Sequence, residues 1–139
     1  LLRNRNLNAQ IDGLSFNLHG QGHLIRASQE GIAFAFRYGL DIMRGNKLEP
    51  SVIKAGQANL FLSPVFTHAF VNATGVPVAL YNVEGSVGAA LGAGIGVGIY
   101  KELKDAFADT KPIERIEPTE TKLYNALYEN WKDKLVKFI

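Results

Sequence analysis

Two short stretches of this 139-residue sequence combine residue types and spacings that chemistry can use. The first is Lys54-Ala-Gly-Gln-Ala-Asn59, where small residues surround a glycine directly after an apolar run. Small residues at such a place let a ligand reach the backbone, and a following helix points its first N–H groups outward. If a strand hands over to a helix here, the stretch lies where α/β sheets bind ligands, outside the carboxyl ends of their strands. Gly56, Gln57, Ala58 and Asn59 are therefore candidate ligand contacts. Asn59 is at least as well suited to capping the next helix. The second stretch, Gly85-Ser-Val-Gly-Ala-Ala-Leu-Gly-Ala-Gly-Ile-Gly-Val-Gly-Ile-Tyr100, is uncharged and holds six glycines.

Three readings of the second stretch compete. A membrane-crossing helix needs about 20 apolar residues, and Val87 to Tyr100 supplies 14 before Lys101 and Glu102. A dinucleotide loop needs G-x-G-x-x-G. Here Gly92, Gly94, Gly96 and Gly98 fall on every second residue, and the position three after Gly94 is Val97. The third reading is a helix with little side chain. Gly88, Gly92 and Gly96 share one helical face, and Gly94 and Gly98 line a neighbouring one. Each interior glycine costs roughly 0.8–1 kcal/mol against alanine, so five cost about 4–5 kcal/mol if they add. Close backbone approach offsets such a penalty, either by tight packing on a sheet or by leaving room beside a ligand.

The remaining polar residues do not converge on a reaction. His19 and His23 are separated by Gly20 and Gly22, which argues against a shared helix face, and His68 stands apart. Zinc sites require three or four ligands, so no metal ligand is assigned. Arg26 and Glu30 have the spacing of a helix-surface pair. Asp12 and Asp41 are lone carboxylates with no partner motif, and no Ser/His/Asp arrangement is present. No catalytic residue is named. Lys132-Asp-Lys134 reads as a solvated face.

The elements that must position the two small-residue stretches follow from periodicity. Residues 1–12 read as a connecting segment and Gly13–Leu18, which alternates, as a strand. A helix follows, with Ile25, Ile32, Phe36, Leu40 and Met43 on one face and Gly45-Asn46 at its C-terminus. Ser51–Gly56 is a short strand, and the segment from Asn59 to Thr74 is mostly helical, with Pro64 in its first turn and Gly75 at its end. Val76–Asn82 is a buried strand, and the glycine-rich helix runs on into Lys101–Phe107. Ala108–Pro118 is a linker to a last helix within 119–139, which docks by Leu123, Leu127, Trp131 and Leu135, flanked by Tyr124 and Tyr128. Alternating strands and helices imply a single α/β layered domain.

Composition bounds the rest. The chain is 47% hydrophobic and 20% charged with net charge +2, an ordinary globular balance whose field argues against nucleic acid and membrane surfaces as partners. It contains no cysteine, which excludes disulfides and thiolate metal sites and is compatible with a reducing cytoplasm. It opens Leu-Leu-Arg-Asn-Arg, with neither Met nor a signal-peptide pattern, and reads as the inside of a longer protein.

Several blocks together resemble one family. Ala9–Glu30, with Gly13-Leu14, His23-Leu24, Ala27-Ser28 and Glu30, resembles a signature region of the FGGY carbohydrate kinases, with Gln29 where the family prefers an apolar residue. Lys54–Leu62 resembles the family's glycine-rich adenosine motif, with Ala55 and Gln57 replacing two glycines. Gly85–Tyr100 resembles its Gly-Ala-Ala-Leu-Gly-Ala helix, and Ile116–Lys132 its last helix. The overall pattern looks most like the xylulokinase branch.

That resemblance implies a partial ribonuclease-H-like (actin-like ATPase) domain, α/β, with a mixed sheet and flanking helices. It makes 1–139 the later part of the C-terminal, nucleotide-binding domain of a sugar kinase that uses ATP and Mg2+, with D-xylulose as the expected acceptor. Gly56, Gln57, Ala58 and Asn59 become the nucleotide contacts, and the glycine helix gains a reason, as a wall beside the nucleotide. The catalytic aspartate is expected upstream of Leu1 and the sugar on the other domain, so this piece alone is expected to be inactive. A sheet lacking strands would expose edges and form a homo-oligomer through them. The rival expectation is a non-catalytic, actin-like nucleotide-binding or scaffold module.

Overall fold

A computed structural model describes residues 8–83, 85–106, 108 and 111–137. The elements run α1 (Gln21–Gly45), β1 (Ile53–Gly56), a 3-10 turn (Asn59–Leu62), α2 (Pro64–Thr74), β2 (Val78–Tyr81), α3 (Gly85–Gly96), α4 (Leu103–Ala106), β3 (Pro112–Ile116) and α5 (Thr121–Val136). The sheet is mixed and ordered β1-β2-β3, with β1 parallel and β3 antiparallel to β2. β1, α2 and β2 form a βαβ unit, the connection that parallel neighbours require.

α2 is the hub. Its apolar residues face all round, and Phe66, Ala69, Phe70, Val71 and Ala73 are buried between the sheet, α1 and α5. Local chemistry sets its ends. Ser63 caps the N-terminus by accepting from the Phe66 N–H, Pro64 occupies the first turn, and Gly75 closes the helix in the left-handed conformation at φ 66°. Asn72 is fully buried, and its carbonyl Oδ1 accepts from the N–H groups of Thr119 (2.7 Å) and Glu120 (2.6 Å). One α2 side chain thereby seats the start of α5.

A polar network ties α1 to both partners. Arg37 Nε donates to Asp41 at 2.8 Å, and Arg37 Nη1 also donates to the Ala73 carbonyl. Arg44 donates to the Thr74 carbonyl at 2.9 Å, and the Tyr128 hydroxyl donates to Asp41 Oδ2 at 2.8 Å. The two arginines thus satisfy carbonyls at the C-terminus of α2, where positive charge is favourable. Burial pushes the Asp41 carboxyl up, but hydrogen bonds from Arg37 and Tyr128 outweigh it and hold the group below the usual carboxylate range. Burial, then the adjacent carboxylate, pushes the Tyr128 phenol up, so it stays a donor.

Several expectations need correction. Gly13–Leu18 is not a strand: Gly13 sits at φ 75°, and Phe16 to Leu18 form a turn closed by bonds from the Leu18 and His19 N–H groups to the Ser15 carbonyl. The first strand is therefore absent from the expected order. Ala108–Pro118 is not a plain linker, since it carries β3; its residues 109 and 110 lie outside the described residues. The glycine helix stops at Gly96, and Gly98 turns the chain at φ 79° instead of letting it run to 107, which is also outside the described residues.

The helical faces differ too. On α1 the packed residues are Ala33, Phe34 and Leu40, whereas Ile25, Ile32, Phe36 and Met43 are exposed. On α5 the buried side chains are Tyr124 and Tyr128, with Trp131 packed beside them, whereas Leu123 and Leu127 face outward. Expectations for residues 1–7, 84 and 138–139 lie outside the described residues. No helix among the described residues is long and apolar enough to cross a membrane.

Candidate functional site

The site is built mainly from backbone. β1 and β2 run in parallel and end together, Gly56 opposite Tyr81. The Gln57 N–H donates to the Tyr81 carbonyl at 2.9 Å, and the Ala58 N–H donates back to the Gly56 carbonyl at 2.8 Å. These bonds lock the small-residue turn against the end of β2. They also use two N–H groups that would otherwise be free to hold an anion, so the turn suits an uncharged part of a ligand.

Glycine at 56 is required by its neighbour. A Cβ there would stand 2.5 Å from the Val83 carbonyl oxygen, on the segment leading from β2 into α3. Three residues on, Asn59 adopts φ 53°, a left-handed conformation that asparagine tolerates better than most side chains. Asn59 therefore does not cap α2; it opens the 3-10 turn, and Ser63 caps the helix.

These features enclose a concavity of about 420 Å³. That falls within the roughly 300–1,000 Å³ usual for small-molecule sites. Its lining comes from the end of β1 and the turn after it (Gly56, Ala58 and Asn59 among them), from Val83, Gly85 and Gly88, and from the apolar side chains of Phe36, Leu60, Phe61 and Phe66. The concavity lies outside the carboxyl ends of two parallel strands, where α/β sheets bind ligands. Three of the four sequence candidates are brought together here. Gln57 is exposed and does not line the concavity; its backbone N–H only anchors the turn.

The glycines of α3 now divide. Tight packing on the sheet does not account for them, because a Cβ at Gly85, Gly88, Gly92 or Gly96 would meet nothing within 4 Å. Gly94 alone is crowded, with the Tyr100 ring 2.9 Å from its notional Cβ. Gly85 and Gly88 are the two that face the concavity.

The histidines have local structural work. His19 Nδ1 accepts from the Ser15 N–H at 3.0 Å, and His23 Nδ1 accepts from the Gly20 N–H at 3.2 Å, closing the start of α1. Gln29 accepts from the Ser63 hydroxyl at 2.6 Å, a polar link between α1 and the cap of α2 that accounts for a polar residue at this position. Arg26 and Glu30 pair at 2.8 Å as their spacing predicts. Among the described residues, no group of three or more His, Cys, Asp or Glu side chains converges as a metal site.

A larger groove, of about 680 Å³, runs between residues 8–12, α1 and α5. Its lining combines apolar side chains such as Ile11, Phe34 and Trp131 with long polar ones and the exposed ion pair of Asp12 with Lys134. It lacks the turn-built backbone walls at paired strand ends, so the smaller concavity is the better candidate.

An α/β sheet with a small-residue turn and a glycine-rich helix around one concavity at its strand ends is an arrangement in which such sheets bind small molecules. The comparisons carry this further. The chain is 29% identical over 122 residues to the L-xylulose/3-keto-L-gulonate kinase of Escherichia coli (strain K12), covering 83% of this chain and 24% of that protein. The crystal structure of xylulose kinase from Rhodospirillum rubrum matches with a TM-score of 0.79 at 27% identity, over 97% of this chain and 28% of that one. No protein-family model matches the chain. The chain is homologous to xylulose kinases, carbohydrate kinases of the FGGY type, over most of its length. It spans about a quarter of the length of the proteins it matches.

Proposed function

We propose that this chain is the later part of the C-terminal, ATP-binding domain of a carbohydrate kinase that transfers the γ-phosphate of ATP to a sugar hydroxyl. D-Xylulose is the first acceptor to test, with other ketoses, gluconate and glycerol as alternatives. The observation that carries the reading is the shared concavity: the turn after β1 and the start of α3, separated by more than twenty residues of sequence, line one space.

The residues fit the adenosine end of ATP. Gly56, Ala58 and Gly88 give walls without bulky side chains, Asn59 adds a polar group, and the N-terminal end of α3 lies at the rim, where a helix favours negative charge. Bound ATP would supply the phosphoryl group. The work of this chain is to hold and orient the nucleoside, since phosphoryl transfer depends largely on positioning and charge stabilisation. Mg2+ accompanies ATP in this reading, but no cluster among the described residues offers it ligands, and no step is assigned to it here. The sugar and the catalytic base belong, in this reading, to other parts of the kinase, and the protein works in the cytoplasm.

A second reading, a non-catalytic nucleotide-binding module, is favoured by one observation: among the described residues, none that lines the concavity is titratable. Two measurements separate the possibilities. Calorimetric titration of the chain with ADP tests nucleotide binding. ATP consumption dependent on D-xylulose, by this chain with whatever remainder of a kinase its gene encodes, tests the reaction. Binding without turnover on any ketose, polyol or sugar acid leaves the module reading.

A further inference from the structure

Phe36 stands out among the exposed apolar residues of α1 as the one that lines the concavity. It shares the concavity with residues that have almost no side chain, Gly56, Ala58 and Gly88. A ring beside walls of backbone makes a space suited to a flat group. The ring is also held in place: it packs edge-on against Phe70 with centroids 5.4 Å apart, and Phe70 packs in the same way on Phe61 at 5.2 Å. Yet Phe36 remains 56% exposed, so much of its ring is available to a ligand.

Resting on the nucleotide reading above, we infer that Phe36 is a specificity-determining residue that packs on the nucleobase and favours a purine over a pyrimidine. The larger ring system of a purine covers more of an aromatic neighbour, and base–aromatic stacking is worth about 1–3 kcal/mol per base by alanine substitution. That corresponds to a loss of about 5- to 150-fold in affinity. Asn59, on the same concavity, is placed to add a hydrogen bond to the ligand, but cannot supply stacking.

The test compares the unsubstituted chain with Phe36→Leu, Phe36→Ala and Phe36→Trp, using ADP, CDP and tripolyphosphate as probes. Phe36→Leu keeps an apolar contact with Phe70 and serves where Phe36→Ala fails to fold, as judged by urea unfolding. The expected result is an affinity for ADP about tenfold weaker in Phe36→Leu and Phe36→Ala, kept in Phe36→Trp, with the preference for ADP over CDP reduced and tripolyphosphate binding unchanged. Base protons of ADP should show an upfield ring-current shift with the unsubstituted chain that is lost in Phe36→Leu. If the chain binds ADP but the variants keep its affinity and its preference over CDP, the role of Phe36 is overturned and the nucleotide reading stands. If the chain binds no ADP at all, both fall.

Discussion

Replacing Gly56 with alanine tests the geometry of the site most directly. The new Cβ would stand 2.5 Å from the Val83 carbonyl oxygen, inside the 3.0 Å below which real Cβ contacts are essentially not seen. Both atoms belong to backbone or to a group fixed on it, so no side chain can swing away. Either the turn or the Val83 backbone must move by about half an ångström or more, against hydrogen bonds that lock the turn to β2. Forced overpacking of this kind costs about 1–3 kcal/mol. With a urea slope near 2 kcal/mol/M, the unfolding midpoint should fall by about 1 M. The same displacement opens the concavity, so ADP affinity should fall with stability.

Two further glycines separate stability from binding. At Gly88 and Gly92 a Cβ meets nothing within 4 Å. Alanine at either site should raise helix stability by up to about 1 kcal/mol. Only Gly88 lines the concavity. Gly88→Ala is therefore expected to unfold at higher urea yet bind ADP more weakly, whereas Gly92→Ala gains the stability and keeps the affinity. A Gly56→Ala chain that unfolds at the unsubstituted midpoint would refute the contact with Val83. Equal ADP affinity in Gly88→Ala and Gly92→Ala would refute the concavity as the nucleotide site.

Three other expectations follow from the packing. Asn72→Ala removes the acceptor for the Thr119 and Glu120 N–H groups and should destabilise the chain by about 2–4 kcal/mol, with unchanged urea midpoints sinking the idea that Asn72 seats α5. The Asp41 carboxyl is held below its ordinary value near 3.9, so its contribution is present above that pH and lost as pH falls through the lower folded-state value. The stability gap between the chain and Asp41→Asn should accordingly narrow below about pH 4, and a gap constant from pH 7 to pH 3 contradicts the network. The outer edge of β1 has no partner strand among the described residues, so the isolated chain should self-associate with rising concentration; light scattering that reports a monomer throughout counts against pairing at that edge.

The parts of the fold legible in sequence are those that short-range chemistry decides. Pro64 and Gly75 bracket α2 because one fits a helix start and the other tolerates a left-handed end. The turn at 55–59 is legible because small residues after an apolar run have few other uses. β3 was hidden because it is an edge strand, exposed along most of its length, whose Glu114 and Arg115 read as a solvated linker. Its pairing with β2 joins residues more than thirty positions apart, and no local pattern reports that. Gly13–Leu18 alternates like a strand, but the Ser15 carbonyl closes a turn instead and no strand pairs with it among the described residues.

Periodicity also failed on faces, in a way that bears on the site. Counting apolar residues on α1 selects Ile25, Ile32, Phe36, Leu40 and Met43. Packing selects the side bearing Ala33, Phe34, Arg37, Leu40 and Asp41, because Arg37 and Asp41 reach the carbonyl end of α2 and the Tyr128 hydroxyl. The polar members of that side lower its apparent hydrophobicity and disguise it. Phe36 therefore read as one more core residue, when it faces the concavity from the uncovered side of α1. A site whose walls are backbone announces itself through its glycines. Of its aromatic residues, Phe61 and Phe66 follow the turn closely in sequence, whereas Phe36 comes from a helix elsewhere in the chain and becomes visible only once α1 is docked on α2, so the small-residue turn is evidence for where a ligand lies, and Phe36 for which ligand it is.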